Sequence, residues 1–206
     1  ARRIDPKLAS TPALAVRRGL ASVRAQDVAP ELSMKDGWLI EPLEAHSEPL
    51  WIWGAGHVGR ALVQILDTLN EVETTWADTA QDRFPKHVPA GVSVLNAAEP
   101  LLALRHAPAQ AEHLIVTYSH ALDFELCHQL LAGQFNWPGL IGSATKWARF
   151  RKRLKGMGHS DAQINRITCP IGRPEYGKQP AQIAIGVAAD LLERKQLKSI
   201  EQGRRA

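Results

Sequence analysis

Residues 50–59, Leu-Trp-Ile-Trp-Gly-Ala-Gly-His-Val-Gly, constrain this chain more than any other stretch. A short apolar run leads straight into Gly54-x-Gly56-x-x-Gly59. Val58, Leu62, Ile65, Leu66 and Leu69 follow at helical spacing. Strand, glycine turn and helix in that order turn a weak glycine pattern into a nucleotide-site expectation. Gly54 permits the tight turn, Gly56 lets a phosphate approach the backbone, and Gly59 lets the helix pack closely on its strand. The helix start offers unpaired N–H groups and a positive dipole end to an anion. A second strand (Val72, Thr74, Trp76) ends at Asp78, where this fold holds a ribose hydroxyl.

The same alternation continues. Strands are predicted at 50–54, 72–77, 92–95, 113–118 and 138–141, and helices at 57–69, 97–106, 122–132, 145–156 and 180–195. Strands alternating with helices of this length imply a Rossmann-like, doubly wound parallel sheet of the α/β class, with right-handed crossovers. Such a sheet binds ligands beyond the carboxyl ends of its strands. Residues 50–206 are assigned to this domain. Residues 1–49 read as a short N-terminal extension: a helical stretch from Pro12 to Arg24, a Pro-containing linker, then a strand and turn over 36–49.

Composition excludes several classes. The 206 residues are 45% hydrophobic and 22% charged, ordinary for a soluble globular chain. No apolar run reaches the ~18–20 residues of a membrane span, and there is no signal-peptide pattern. Two cysteines beside six tryptophans suggest a reduced, cytoplasmic protein, not a disulfide scaffold. A net charge of +4 suits an anionic ligand but is too small to argue for nucleic acid. An α/β domain with an exposed Trp-rich edge suggests a homodimer.

The strand ends carry the candidate chemistry. His57 stands at the start of the first helix, placed for a phosphate or a ligand ring, or simply solvated. Asp78 reads as a ribose acceptor or a turn aspartate. Thr117-Tyr118-Ser119-His120 follows the fourth strand, with Asp123 one helical step beyond His120. A His held by a carboxylate serves as acid, base, ligand or donor; Ser119 also suits a helix cap. Too few ligands at metal spacing stand nearby for a zinc site. After the fifth strand, Gly142, Ser143 and Lys146 repeat the glycine, hydroxyl and helix-start arrangement, with Lys146 a candidate anion contact. Lys146, Arg149, Arg151, Lys152, Arg153 and Lys155 make that helix basic, and all but the first two suit an acidic partner surface. Cys169, before Pro170, is either a sulfur-handling or metal-touching thiol or a small buried apolar residue.

Taken in order, Gly-Ala-Gly-His-Val-Gly, Thr-Tyr-Ser-His-Ala-Leu-Asp, Ile-Gly-Ser-x-x-Lys and Cys-Pro-Ile-Gly, then Gly-Lys-x-Pro-Ala-x-Ile-Ala, resemble the XdhC family of xanthine dehydrogenase accessory proteins. The resemblance covers roughly residues 36–195. It implies a chaperone without catalytic residues that binds the molybdenum cofactor (molybdopterin), protects it, supports its sulfuration with a cysteine desulfurase and inserts it into xanthine dehydrogenase. The residues it assigns to cofactor binding are Gly54, Gly56, His57, Gly59, Asp78, Tyr118, His120, Asp123, Gly142, Ser143, Lys146 and Cys169. Two departures are visible. The glycine-rich N-terminal domain usual in the family is absent from residues 1–35, so the extension is expected to be a remnant of it or a short form. Gln182 stands where an acidic residue is expected. From the residues alone, an NAD-dependent oxidoreductase using Asp78 and a nucleotide-sensing binding module stay open.

Overall fold

Asp36 and Gly37 both adopt positive φ, 49° and 73°, the backbone that a two-residue hairpin turn demands. They close the hairpin of a small N-terminal unit in the computed structural model, which describes residues 2–3, 11, 14–26, 33–40, 48–69, 71–133 and 135–203. This unit contains β1 (Arg2–Arg3), helix α1 (Leu14–Gln26), β2 (Ser33–Lys35) and β3 (Trp38–Ile40). The strands form an antiparallel sheet in the order β1-β3-β2. Val16, Trp38 and Ile40 are its buried core. The expected strand at 36–49 is thus a hairpin whose second arm starts at Trp38. The Pro-containing linker falls largely on residues 27–32, outside the described residues, as do residues 41–47.

The second unit runs from Ser47. Its strands are β4 (Glu48–Trp53), β5 (Val72–Asp78), β6 (Val92–Asn96), β7 (Glu112–Ile115) and β8 (Trp137–Leu140). They pair in parallel, in the order β6-β5-β4-β7-β8. The connecting helices are α2 (His57–Leu69), α3 (Pro100–Leu104), α4 (His120–Ala132), α5 (Ala144–Gly156), α6 (Asp161–Ile164) and α7 (Pro180–Gly203). The doubly wound α/β sheet expected from the alternation is what forms.

Period-two alternation along β4 explains the two layers. Leu50 and Ile52 face one core with Leu62 and Leu66 of α2 and Val187 and Leu191 of α7. Trp51 and Trp53 face the other, with Phe124 and Leu130 of α4 and Phe150 and Leu154 of α5. Each fully buried Leu, Ile or Phe contributes roughly 1.5–3 kcal/mol relative to exposure. Five of the six tryptophans are buried and Trp147 is half-buried, so the exposed Trp-rich edge that suggested a homodimer does not exist.

Local chemistry sets the boundaries. Pro100 starts α3 later than expected, and Arg105 ends it after five residues. Ser119 and Ser143 cap α4 and α5 by accepting from the N–H groups of Leu122 and Lys146. Helix α6, unforeseen, starts on a Ser160–Gln163 capping box. At α7, Gln182 accepts from the Gln179 N–H at 3.0 Å, so its amide oxygen fills the place where an acidic residue was expected. Among the described residues no helix is long and apolar enough to cross a membrane.

Candidate functional site

Parallel strands make the following segments start at the same end of the sheet, so the glycine loop, Asp78, the segment 117–123 and the segment 141–146 converge beyond the carboxyl ends of β4, β5, β7 and β8. Gly54 takes φ 118°, and a Cβ there would lie 2.5 Å from the Val116 carbonyl oxygen. A Cβ on Gly59 would lie within van der Waals overlap of the Gly54 carbonyl oxygen. The Trp76 indole N–H donates to that same oxygen at 3.0 Å, fixing the turn from below. Gly56 differs: a Cβ would meet nothing within 4 Å. The first and third glycines serve the turn and the packing, and the second leaves the backbone open.

Asp78 is buried beside this loop. Its Oδ2 accepts from the Ala55 N–H at 2.5 Å, and its Oδ1 accepts from the Thr79 N–H at 2.6 Å and hydroxyl at 3.1 Å. Arg83, in the 3-10 turn Gln81–Arg83, puts Nε 2.8 Å from Oδ1, an ion pair without hydrogen-bond alignment. The carboxylate expected to hold a ribose is therefore occupied by the chain's own groups.

The next cluster joins β7 to β8. Asp123 is fully buried; its Oδ1 accepts from the Thr117 hydroxyl at 2.7 Å and N–H at 3.3 Å. Lys146 Nζ donates to Asp123 Oδ2 at 2.5 Å and to the Ile141 carbonyl at 2.8 Å. The carboxylate expected to hold His120 instead holds Thr117 and Lys146, and His120 stays exposed at the first position of α4. Lys146, expected to meet an anion, spends two of its three donors on the protein.

Cys169 reaches the same end because Thr168–Ile171 runs beside β8. Leu140 N–H donates to Thr168, Thr168 N–H to Pro138, and Ile171 N–H to Leu140. The Cys169–Pro170 bond is cis. The half-buried Sγ lies against Gly142, 3.4 Å from where a Cβ would stand. Burial pushes the thiol up to about 11; Lys146 pulls it down and Asp123 adds to the rise. Cys169 is thus a neutral thiol beside an ion pair, not a free thiolate. Burial likewise raises Cys127, which belongs to the apolar core.

At the mouth, His57 and Tyr118 are exposed. The Arg83 guanidinium stacks 4.0 Å from the Tyr118 ring centroid. Arg83 went unnoticed in the sequence, since nothing in Gln-Asp-Arg marks it; only the strand order brings it to Tyr118. On α5, Arg151 and Lys155 pair with Asp161, and Arg153 with Glu125. Three of the four cations expected to face an acidic partner, Arg151, Arg153 and Lys155, are therefore matched by the chain's own carboxylates. Among the described residues no three His, Cys, Asp or Glu side chains gather as a metal site.

Comparison with known proteins agrees with the fold. Uncharacterized protein YqeB of Escherichia coli (strain K12) is 27% identical over 141 residues, 68% of this chain and 26% of that protein. The chain thus spans about a quarter of that relative. A crystal structure of a xanthine dehydrogenase from Bacillus halodurans shares the fold, with a TM-score of 0.61 at 24% identity; the match covers 76% of this chain and 44% of that one. The profile of the XdhC Rossmann domain matches residues 50–191, from within β4 through the first half of α7, and the chain belongs to that family.

Proposed function

We propose that this chain is an accessory protein of xanthine dehydrogenase that binds the molybdenum cofactor, shields it, supports its sulfuration by a cysteine desulfurase and delivers it to the acceptor enzyme. The observation that carries the reading is the convergence of four separate motif segments at one end of one sheet. The residues suit the group. Molybdopterin ends in a phosphate, and the open backbone at Gly56 beside the start of α2 accepts an anion without steric conflict. The exposed Tyr118 ring offers a face to a flat pterin. His57 and His120, exposed at two helix starts, supply polar contacts. Gly54 and Gly59 shape the loop, Gly142 and Ser143 shape the second helix start, and Asp78 braces the first turn. The Asp123–Lys146 pair holds the β7 and β8 ends together.

The bound molybdenum supplies redox chemistry that the acceptor enzyme uses. This chain's residues bind, orient and exclude water, which needs no turnover dyad. Cys169, kept protonated by burial, meets a soft ligand as a thiol unless Lys146 assists its deprotonation. A cytoplasmic location fits two free cysteines.

Anaerobic mixing with isolated sulfurated cofactor, followed by size exclusion and molybdenum assay, tests the reading. Near-stoichiometric molybdenum in the protein peak is expected, with loss on His120→Ala and Lys146→Ala. Retention of NAD without molybdenum, run in parallel, overturns it in favour of a dehydrogenase or sensor.

A further inference from the structure

Strand order places the ends of β5 and β7 on either side of β4, whose end is the glycine loop. The Arg83–Tyr118 stack joins those two flanking ends, so it passes across the loop. Arg83 is pinned at three points. Its Nε pairs with Asp78, its guanidinium lies over Tyr118, and its carbonyl accepts from Arg60 Nη2 at 2.7 Å. Arg60 in turn donates through Nε to the Ala55 carbonyl.

The carboxylate of Asp78 is enclosed by three hydrogen bonds and one ion pair. A carboxylate offers about four acceptor positions. Here the Ala55 N–H, the Thr79 N–H and hydroxyl, and the Arg83 guanidinium surround it, and its side chain is 2% exposed. A ribose diol needs two of those positions; the Thr79 hydroxyl can rotate away from one, but the other stays closed while Arg83 is pinned over the carboxylate. The terminal nitrogens of Arg83, by contrast, have no hydrogen-bond partner among the described residues, and its side chain is 32% exposed.

We propose that Arg83 sets the ligand class of the glycine loop: it keeps Asp78 from accepting a ribose diol and presents its own free guanidinium nitrogens to a dianionic phosphomonoester. This rests on the reading that the loop is the ligand site, and the terminal phosphate of molybdopterin belongs to the class it selects. A 2′-phosphorylated nucleotide carries the same chemistry, because an arginine at this strand end accommodates a 2′-phosphate.

Equilibrium dialysis with NAD and NADP distinguishes the cases and needs no molybdenum, so its failure is separable from failure of the co-elution experiment. We expect the intact chain to bind NAD at least tenfold more weakly than NADP, or not at all. Arg83→Gln should gain NAD binding at least tenfold, and adding Asp78→Asn should abolish that gain. Arg83→Lys, which keeps the charge, should still exclude NAD. Thermal midpoints within a few degrees of the parent establish that each variant is folded. A parent that prefers NAD, or an Arg83→Gln variant with no gain in NAD binding, overturns the proposal. Retention of NADP but not of the molybdenum cofactor would identify the phosphomonoester as a nucleotide's.

Discussion

Both ends of the parallel sheet bury a carboxylate against cations, yet we propose a ligand at one end and a fastening at the other. At the strand starts, Glu112 accepts from Arg194 at 2.5 Å and Lys198 at 3.1 Å, and Lys198 also pairs with Glu48 at 3.0 Å. The Arg194 guanidinium lies 3.7 Å from the Trp137 ring centroid. These cations come from the C-terminal half of α7. At the strand ends, Asp78 and Asp123 take their partners from turns and helix starts after four different strands. A buried ion pair by itself is thus a fastening. Open backbone, helix starts and exposed aromatic and imidazole groups surround the pair at the other end, which is why the proposed site is placed there.

The largest expected effect falls on the hinge of that site. Gly59→Ala drives a methyl group into the Gly54 carbonyl, which has backbone behind it and cannot yield. We expect about 3 kcal/mol of destabilisation, near the upper end for overpacking, read by urea unfolding. The base should respond next. Glu112→Gln leaves Arg194 and Lys198 without their buried carboxylate; because both cations are partly solvated, about 2–3 kcal/mol is expected. Cofactor retention should be unchanged, and coupled loss of binding would show that the two ends do not act separately.

A third contrast lies between them. His113 is fully buried on β7, with Nδ1 accepting from the Trp53 indole at 3.1 Å and Nε2 unpartnered. Burial lowers its pKa from 6.5 to about 3. The unfolded chain therefore binds the proton more readily than the folded one. Stability is complete above pH 6.5 and falls by about 1.4 kcal/mol per pH unit as pH drops towards 3. His113→Phe should flatten that part of the pH profile in chemical denaturation. An unchanged profile would mean that other groups carry the acid sensitivity.

The smallest expected effect on stability, paired with a large one on binding, is at Gly56. Gly56→Ala meets no neighbour, so the melting temperature should move by no more than a few degrees. Cofactor retention should nevertheless fall at least tenfold, because the methyl group occupies the space left for the ligand. Full retention would remove the loop from the site.

Much of this was legible in the sequence because local patterns encode it. The apolar run Leu-Trp-Ile-Trp marked β4 as a strand, and Gly54 and Gly59 serve the turn and the packing as their spacing implies. Ser119 read correctly as a cap, and Ser143, read as a hydroxyl at a helix start, proves to be one as well. The Ser160–Gln163 box was equally readable and was missed because only a four-residue helix follows it. What stayed hidden depends on strand order. Asp123 was matched to His120 by helical spacing, but β7 pairs with β8, and that brings Lys146 to the carboxylate first. Asp78 matched the ribose position, while Arg83 meets Tyr118 only because β5 and β7 flank β4. The buried state of His113 likewise depends on Phe135, which packs perpendicular to it at 4.6 Å.

The division between a ligand end and a fastening end is tested most directly by amide hydrogen exchange with and without the molybdenum cofactor. We expect protection to rise over residues 54–60, 117–123 and 141–146, with little change at Glu48, Glu112 and the last turns of α7. Protection at the strand starts, or none at the glycine loop while molybdenum is retained, would contradict it.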